Sequence, residues 1–154
     1  MNIIDELSPS FDFIDTNLDE YQTDYSGIVK SKPLFVVFPK SLKQCQKLVK
    51  LANKYEIPLI VRGAGSGTTG GVIPLKKHIV CSLEKMNNII DFDIENAMIT
   101  VEAGVILKNL QNLVESESLF YPLDPASLDR CTIGGNVAEN AGGARALKYG
   151  VTRD

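Results

Sequence analysis

Short apolar runs and one amphipathic stretch alternate in the first half of the chain. Residues 33–39, Pro-Leu-Phe-Val-Val-Phe-Pro, are apolar and rich in β-branched and aromatic side chains, which predicts a buried strand. Ser41 is a suitable N-cap, and apolar residues then recur at intervals of three and four until Tyr55, which predicts a helix with one face against a sheet. Residues 57–61 predict a second buried strand. Residues 33–61 are therefore predicted to form a right-handed βαβ unit with a parallel pair of strands.

The second half predicts a different pattern. A third strand is expected at residues 78–83, a hairpin at residues 89–94 and 97–102, and an amphipathic helix at residues 105–117. Residues 121–127 contain two prolines and predict an extended loop, after which Thr132 is expected to cap a short helix ending near Asn140. Together the two halves predict an α+β fold, with a small parallel βαβ layer followed by a more antiparallel portion.

Residues 1–32 precede these elements. They are acidic and aromatic, and the aromatic side chains have helical spacing in places. We interpret residues 1–32 as a helical N-terminal lead-in.

Composition and charge narrow the class of protein. The chain has 154 residues, of which 44% are apolar and 23% charged, which suits one compact domain. The formal net charge is -3 and the basic residues are dispersed, so nucleic acid is excluded as an expected partner. Three widely spaced cysteines, together with the acidic N-terminus and the lack of a long apolar run, predict a cytoplasmic protein, with attachment at the periphery of the inner membrane as the alternative.

A glycine-rich loop follows the second predicted strand. Residues 62–71, Arg-Gly-Ala-Gly-Ser-Gly-Thr-Thr-Gly-Gly, contain five glycines within nine residues, more than an exposed turn requires. Such a loop lets backbone N–H groups close on an anion, and Ser66 and Thr68 add hydroxyl donors. Arg62 is expected to supply a charge or to clamp the loop. This loop predicts a phosphate or pyrophosphate site.

The same loop also admits a dinucleotide-binding interpretation of the Rossmann type. Residues 65–70 satisfy the G-x-G-x-x-G pattern, which predicts NAD binding when the loop opens a helix. Here the loop continues into Gly-Val-Ile-Pro, which is unsuited to a first helical turn. The NAD-binding alternative is therefore weak.

A second glycine cluster lies at residues 131–143. It contains two Gly-Gly pairs and two asparagines, which suit the wall of a flat ligand with polar edges. Tight packing of two backbones explains the same pattern equally well. The single histidine, His78, lies in no metal-ligand or nucleophile pattern, so no catalytic residue and no metal ligand is predicted.

Five motifs in order carry a family resemblance. They are residues 38–41, Phe-Pro-Lys-Ser; residues 62–67; residues 121–127, Tyr-Pro-Leu-Asp-Pro-Ala-Ser; residues 132–143; and residues 146–154, Ala-Leu-Lys-Tyr-Gly-Val-Thr-Arg-Asp. Residues 33–154 thereby resemble the glycolate oxidase D-subunit and D-lactate dehydrogenase group of the vanillyl-alcohol oxidase, or PCMH-type, FAD-binding family.

The resemblance implies an FAD site. Residues 62–68 would hold the pyrophosphate. The extended loop of residues 121–127, the proline loop, would approach the flavin, and residues 132–143 would contact the isoalloxazine and the diphosphate. Covalent members of the wider family carry a histidine where this chain has Ser66, so non-covalent FAD is implied. The implied cofactor-binding residues are Pro39, Arg62, Gly63, Ala64, Gly65, Ser66, Gly67, Thr68, Pro122, Asp124, Ser127, Thr132, Gly134, Gly135, Asn136, Asn140, Ala141, Gly142 and Gly143.

The resemblance also implies a function. Full-length relatives transfer hydride from the C2 carbon of a small 2-hydroxy acid, of the D-lactate or glycolate type, to FAD, which an external electron acceptor reoxidises. Residues 33–154 would be the N-terminal part of the FAD domain, incomplete at its C-terminus and without the substrate domain, so this chain alone is expected to be inactive. The alternatives are a cofactor-free, non-catalytic fragment or subunit, and the NAD-binding module. Further expected partners are a second copy of the chain or a partner subunit.

Overall fold

A computed structural model describes residues 3–154, and the chain divides into two compact units, Met1–Lys85 and Met86–Asp154. Between Leu7 and Phe35 the first unit also contains one turn of 3-10 helix, Asp19–Tyr21. The helices and strands of the first unit are α1 (Ile3–Leu7), β1 (Asp12–Ile14), β2 (Phe35–Phe38), α2 (Leu42–Lys54), β3 (Leu59–Arg62) and β4 (Ile79–Ser82).

The first unit is built on a four-stranded sheet of order β1-β2-β4-β3. Strands β2, β4 and β3 are parallel, which confirms the predicted parallel layer. The two strands of the predicted βαβ unit do not pair with each other, however, because β4 lies between them. All four residues of β4 are buried, whereas β3 lies at the edge and leaves Val61 55% exposed. The prediction of β3 as a buried strand is therefore wrong, since an edge strand is covered incompletely.

Alternation along β2 places apolar side chains in two cores, because successive residues of a strand point to opposite faces. Phe35 and Val37 belong to the larger cluster, which includes the buried residues of α1 and α2. Val36 and Phe38 belong to the second cluster, with Leu18 and Tyr21 of the lead-in. This two-sided burial explains the continuous apolar run in the sequence.

Helix α2 begins as predicted. The Ser41 hydroxyl accepts a hydrogen bond from the Gln44 amide at 3.3 Å, an N-cap contact. The buried side chains are those of Leu48, Leu51 and Ala52, and Leu42 is 67% exposed. The predicted apolar face is thus wrong at Leu42 and at Val49, which is 46% exposed, because the buried face of the helix is that of Leu48, Leu51 and Ala52.

The lead-in differs most from expectation. Its helical structure is limited to α1 and the 3-10 turn, and β1 pairs antiparallel with β2, with Asp12 opposite Phe38. The free edge of β2 offers N–H and C=O partners that a helix could not use, and Phe13 packs edge-to-face on Phe35 at 6.3 Å between ring centroids. The prediction of a helical lead-in is corrected accordingly, while the domain boundary at residue 33 stays a prediction.

The second unit contains a hairpin and three helices. These elements are β5 (Ile89–Asp93), β6 (Met98–Val101), α3 (Leu107–Ser116), α4 (Ile133–Glu139) and α5 (Ala146–Tyr149). Strands β5 and β6 pair antiparallel as predicted, and the Asp93 carboxylate accepts hydrogen bonds from both nitrogens of Asn96 at the turn. A cluster around Val105, Leu110 and Val114 packs against side chains of the hairpin.

Two further properties concern the chain as a whole. All three cysteines are free thiols, and burial raises the pKa of Cys81 to about 12. Among residues 3–154, no helix has the length and apolar character needed to cross a membrane.

Candidate functional site

The glycine loop lies at the sheet edge formed by the carboxyl ends of three parallel strands. It follows β3 directly, Pro39 follows β2, and Leu83 follows β4, so the three segments share one edge. Ligands of open sheets with parallel strands bind at such an edge. Pro39 is fully buried there, and its predicted contact with FAD stays a prediction.

The backbone of the loop presents unused donors. Within residues 3–154, no acceptor receives a hydrogen bond from the backbone N–H groups of residues 63–68. The loop is held through other atoms: the Tyr25 amide donates to the Gly67 carbonyl at 3.0 Å, and the Gly70 amide donates to Asp24 at 3.0 Å. Gly65 and Gly70 have backbone φ angles of 66° and 83°, which residues with a side chain rarely adopt. The loop therefore has an ordered shape with N–H groups free to bind an anion.

The side chain of Arg62 holds the start of this loop in place. That side chain is buried, and its guanidinium donates to the carbonyls of Thr23 at 2.8 Å and Glu20 at 2.9 Å. The same group lies 5.6 Å from the ring centroid of Tyr21 and occupies the space beside Gly65. Of the two roles expected for Arg62, these contacts favour the structural clamp, and its predicted contact with FAD stays a prediction.

The charge of Arg62 is only partly offset. Burial lowers the pKa of its guanidinium, and nearby charges led by Tyr21 and Glu20 oppose that shift. No carboxylate in the described part of the chain lies within ion-pair distance of it. A buried arginine remains charged, so its positive charge lies next to the glycine loop.

The loop does not open a helix. The element that follows it is β4, which begins at Ile79. A Rossmann site requires a helix whose N-terminus binds the pyrophosphate, so the NAD-binding alternative is wrong.

The second glycine cluster belongs to the other unit and begins with a capped helix. The Thr132 hydroxyl accepts from the Gly135 amide at 3.2 Å, which confirms the predicted cap of α4. The Gly134 amide donates to the Ala103 carbonyl at 2.8 Å, and a Cβ on Gly134 would lie 2.7 Å from the Ala103 Cβ. Gly134 is thus required for close backbone packing, the second explanation given for this cluster.

Asn136 supplies a polar group with no hydrogen bond. Its side chain is 3% exposed, and its Nδ2 has no hydrogen-bond partner within the described residues. The Cys131 thiol lies close to Asn136, but sulfur is a weak acceptor and leaves the amide largely unsatisfied. Burial raises the pKa of that thiol, and contacts with Ser127 and Asn136 oppose the rise. A buried amide without a partner is unusual and favours a ligand that would accept from it.

The proline loop is fixed by a residue that sequence reasoning missed. Gln111 of α3 is buried, and its Nε2 donates to the carbonyls of Tyr121 at 3.0 Å and Leu123 at 2.6 Å. Its position on the apolar face of α3, four residues after Leu107 and three before Val114, is the signal that could have identified it.

The same loop is in close contact with the end of the second glycine cluster. The Asp124 carbonyl accepts from the Ala144 amide at 3.3 Å and occupies the space where a Cβ on Gly143 would stand. Asn140 adopts a left-handed conformation, and its Oδ1 accepts from the Arg153 amide at 3.1 Å. The Ala141 carbonyl accepts from both the amide and the hydroxyl of Thr152. The structure therefore brings Asp124 against Gly143, and residues 140 and 141 against residues 152 and 153.

The residues that sequence reasoning missed in the first unit are Glu20, Thr23 and Asp24. They lie in the lead-in, about forty positions before the loop they contact. Local periodicity carries no information about such long-range contacts. His78, for which no metal-ligand or nucleophile pattern was found in the sequence, is half-buried, and its Nδ1 accepts from the Lys76 amide at 3.1 Å. Residues 3–154 contain no group of three or more potential ligands that could hold a metal ion.

Comparison with known proteins identifies the family. The FAD binding domain family matches residues 33–154. This chain belongs to the FAD binding domain family. The resemblance inferred from the five motifs and the prediction of FAD as the cofactor are thereby confirmed.

Relatives of this FAD binding domain bear the expected names. The glycolate oxidase subunit GlcD of Bacillus subtilis (strain 168) is 38% identical over 151 residues, which are 97% of this chain and 32% of the relative. The D-lactate dehydrogenase of Anaerostipes hadrus is 42% identical over 125 residues, 81% of this chain and 26% of that protein. The chain spans between about a quarter and a third of the length of such relatives.

Solved structures share the fold. An alkyldihydroxyacetonephosphate synthase matches 99% of this chain and 31% of its own, with a TM-score of 0.87 and 25% identity. BBE-like 1 of Physcomitrella patens matches 99% of this chain and 34% of its own, with a TM-score of 0.83 and 18% identity. The predicted PCMH-type fold, with its parallel and antiparallel portions, is confirmed.

Within each unit taken by itself, the residues present fit part of FAD. In the first unit, unused N–H groups on a loop beside a buried cation suit a diphosphate. In the second unit, the unsatisfied Nδ2 of Asn136 suits a ligand with carbonyl or ring-nitrogen acceptors. The individual contacts with FAD predicted for all nineteen cofactor-binding residues, including Gly63, Ala64, Ser66, Thr68, Pro122 and Ser127, stay predictions.

Proposed function

We propose that the N–H groups of residues 63–68 bind the pyrophosphate of FAD. The single observation that carries this proposal is that these donors have no acceptor among the described residues, although both ends of the loop are held in place. Diphosphate oxygens accept several N–H bonds at once, and the adjacent Arg62 charge favours an anion. Ser66 and Thr68 would add hydroxyl donors.

For the second unit, taken by itself, we propose that Asn136 donates from Nδ2 to an acceptor atom of FAD. Its burial favours a strong hydrogen bond, because no water competes for the amide. The space beside Gly142 and Gly143 is filled by Val151 and Asp124 of this chain, so the contact of these two glycines with FAD stays a prediction, as does that of Asn140.

We propose further that the whole protein oxidises a small 2-hydroxy acid of the D-lactate or glycolate type. The names of the relatives support this substrate class. FAD, when bound, supplies the acceptor for the hydride and passes the electrons to an external acceptor. The residues of this chain would bind and orient the cofactor, and the loop N–H groups would offset the diphosphate charge.

We propose that these 154 residues do not complete the reaction alone. Oxidation of a hydroxy acid requires a base near the hydroxyl and a cation near the carboxylate. Among the described residues, the side chain of His78 makes no hydrogen bond to the glycine loop. The Arg145 guanidinium lies 3.5 Å from the Asp124 carboxylate and 5.3 Å from the Phe120 ring. We propose a partner subunit or a second copy of the chain because the relative is named as a subunit. We propose a cytoplasmic location because the three cysteines are free thiols.

The experiment that tests the proposal has two arms. Titration of the chain by isothermal calorimetry should give saturable binding of FAD and no binding of NAD. A dye-reduction assay with FAD in excess across a panel of 2-hydroxy acids should show no stereospecific turnover by the chain. The proposed cofactor would be rejected if NAD bound and FAD did not. Turnover abolished by His78→Ala or Arg145→Ala would reject the proposed division of roles.

A further inference from the structure

Residues 20–27 lie outside the segment matched by the family, yet they hold the glycine loop at both ends. At the start of the loop, Arg62 donates to the carbonyls of Glu20 and Thr23. In the middle, the Tyr25 amide donates to the Gly67 carbonyl. At the far end, the Gly70 amide donates to the carboxylate of Asp24. The lead-in therefore supports the whole length of the loop.

Asp24 is the charged residue in this support. It is 5% exposed, its Oδ1 accepts from the amide and the hydroxyl of Ser26 at 2.9 and 2.5 Å, and its Oδ2 accepts from the Gly70 amide at 3.0 Å. The Ser26 hydroxyl bond, followed by the Gly70 and other amide bonds, holds the pKa of Asp24 below its ordinary value. The carboxylate is therefore ionised at neutral pH.

A buried carboxylate close to a diphosphate site opposes binding by charge alone. Its fixed geometry acts in the opposite direction, because a carboxylate that accepts from Gly70 orients the peptide at which the loop ends. The two effects predict changes of opposite sign in the affinity for a diphosphate when the charge of Asp24 is removed. This opposition makes the role of Asp24 measurable.

We propose that Asp24 is a positioning residue that acts through Gly70 to hold the N–H groups of residues 63–68 toward one anion. The inference rests on the proposed function of that loop. It assigns the lead-in a role at the cofactor site, with Asp24 acting through the Gly70 amide.

The test uses the full chain labelled with nitrogen-15, with inorganic pyrophosphate as the probe. In the wild type, pyrophosphate should shift the amide signals of residues 63–68. Asp24→Asn keeps the shape of the side chain and removes its charge. Asparagine has one acceptor oxygen in place of two, so it cannot accept from Ser26 with one atom and from Gly70 with the other. We expect the Gly70 and loop amides to move before any ligand is added, and pyrophosphate affinity to fall by about tenfold.

Asp15→Asn is the matched control. It removes the same charge from an exposed position of the lead-in, so the loop signals should stay unchanged and affinity should not fall. If Asp24→Asn does not fold, Ser26→Ala takes its place, because it removes one donor to Asp24 and leaves the net charge unchanged. That variant should move the Gly70 amide and weaken pyrophosphate binding by about twofold.

The outcomes separate the two claims. Equal or tighter pyrophosphate binding by Asp24→Asn, with unmoved loop amides, would overturn the positioning role and leave the proposed function intact. Unchanged binding and an unmoved Gly70 signal in Ser26→Ala would overturn it likewise. If pyrophosphate shifted no loop amide in the wild type, the proposed function would fail and the inference with it.

Discussion

The guanidinium of Arg62 occupies the space that a side chain on Gly65 would need. A Cβ built on Gly65 would stand inside contact distance of all three guanidinium atoms nearest to it, and the φ of 66° already disfavours a side chain there. The clamp and the glycine are therefore one arrangement: Arg62 can reach Thr23 and Glu20 only because position 65 has no Cβ.

Gly65→Ala should consequently weaken FAD binding by at least about tenfold, because it displaces Arg62 and changes the direction of the loop N–H groups. The left-handed backbone adds a loss of about 1–2 kcal/mol in the free energy of unfolding. Flavin titration and urea unfolding measure the two effects. Gly67→Ala is the control for stability, since a Cβ there meets nothing within 4 Å. FAD affinity equal to that of the wild type in Gly65→Ala would count against the loop as the pyrophosphate site.

The local elements were predictable because each depends on neighbouring residues. The caps at Ser41 and Thr132 and the hairpin of β5 and β6 follow from short patterns, and all three are present. The order of strands was not predictable in the same way. Nothing in residues 33–61 indicates that β4 would lie between β2 and β3, because that choice depends on how well each strand can be covered on both faces.

Gly143→Ala should destabilise the second unit. The added Cβ would collide with the Asp124 carbonyl and with the Pro125 nitrogen, which are backbone atoms that cannot rotate away. A loss of about 1–3 kcal/mol in the free energy of unfolding is expected from such overpacking. The control, Gly142→Ala, would bring its Cβ to 3.1 Å from Cγ1 of Val151, a side chain that can adjust, so its effect should be smaller. Equal midpoints of urea unfolding for the two variants would contradict this explanation.

Asp12 should contribute a pH-dependent stabilisation of β1. Hydrogen bonds from Lys40 and Lys85, whose Nζ atoms lie 2.7 and 2.8 Å from its Oδ2, lower its pKa to about 2. A depressed pKa stabilises the folded state above the ordinary value of 3.8, and this stabilisation is lost as the pH falls from there toward about 2. The effect should be small, since the side chain is 45% exposed.

The test compares melting temperatures of Asp12→Asn and the wild type across this range. The variant should melt slightly lower at neutral pH, and the difference should shrink between about pH 4 and pH 2. Asp15→Asn, at an exposed position close by, provides the control for a general charge effect. A difference that stayed constant down to the lowest pH would exclude the two lysines as its source.

The candidate site was predictable as a set of segments but not as a mechanism of support. The glycines at residues 63–71 and 134–143 are visible in the sequence, but the sequence does not separate those that a ligand would require from those, such as Gly134 and Gly143, that close backbone packing requires. The sequence left two roles open for Arg62, supplying a charge or clamping the loop, because its partners are backbone carbonyls, which every residue possesses. Asp24 was missed because its pattern with Ser26 and Gly27 predicts only a local turn.

Any FAD bound to the chain should be released by acid. Ser66 offers a hydroxyl in place of the imidazole that covalent attachment would use, so denaturation should free the cofactor. After acid precipitation, the flavin absorbance should appear in the supernatant. Flavin retained in the washed pellet would mean that another residue of the chain forms a covalent bond.

The most direct test of the central claim is the amide spectrum of the nitrogen-15 labelled chain during titration with FAD. The claim predicts that the largest early shifts belong to residues 63–68, whose N–H groups lack an acceptor in the described chain, and that Asn136 shifts at its side-chain amide. Saturating shifts confined to those groups would support the claim. Binding of FAD that left the amides of residues 63–68 unmoved would contradict it.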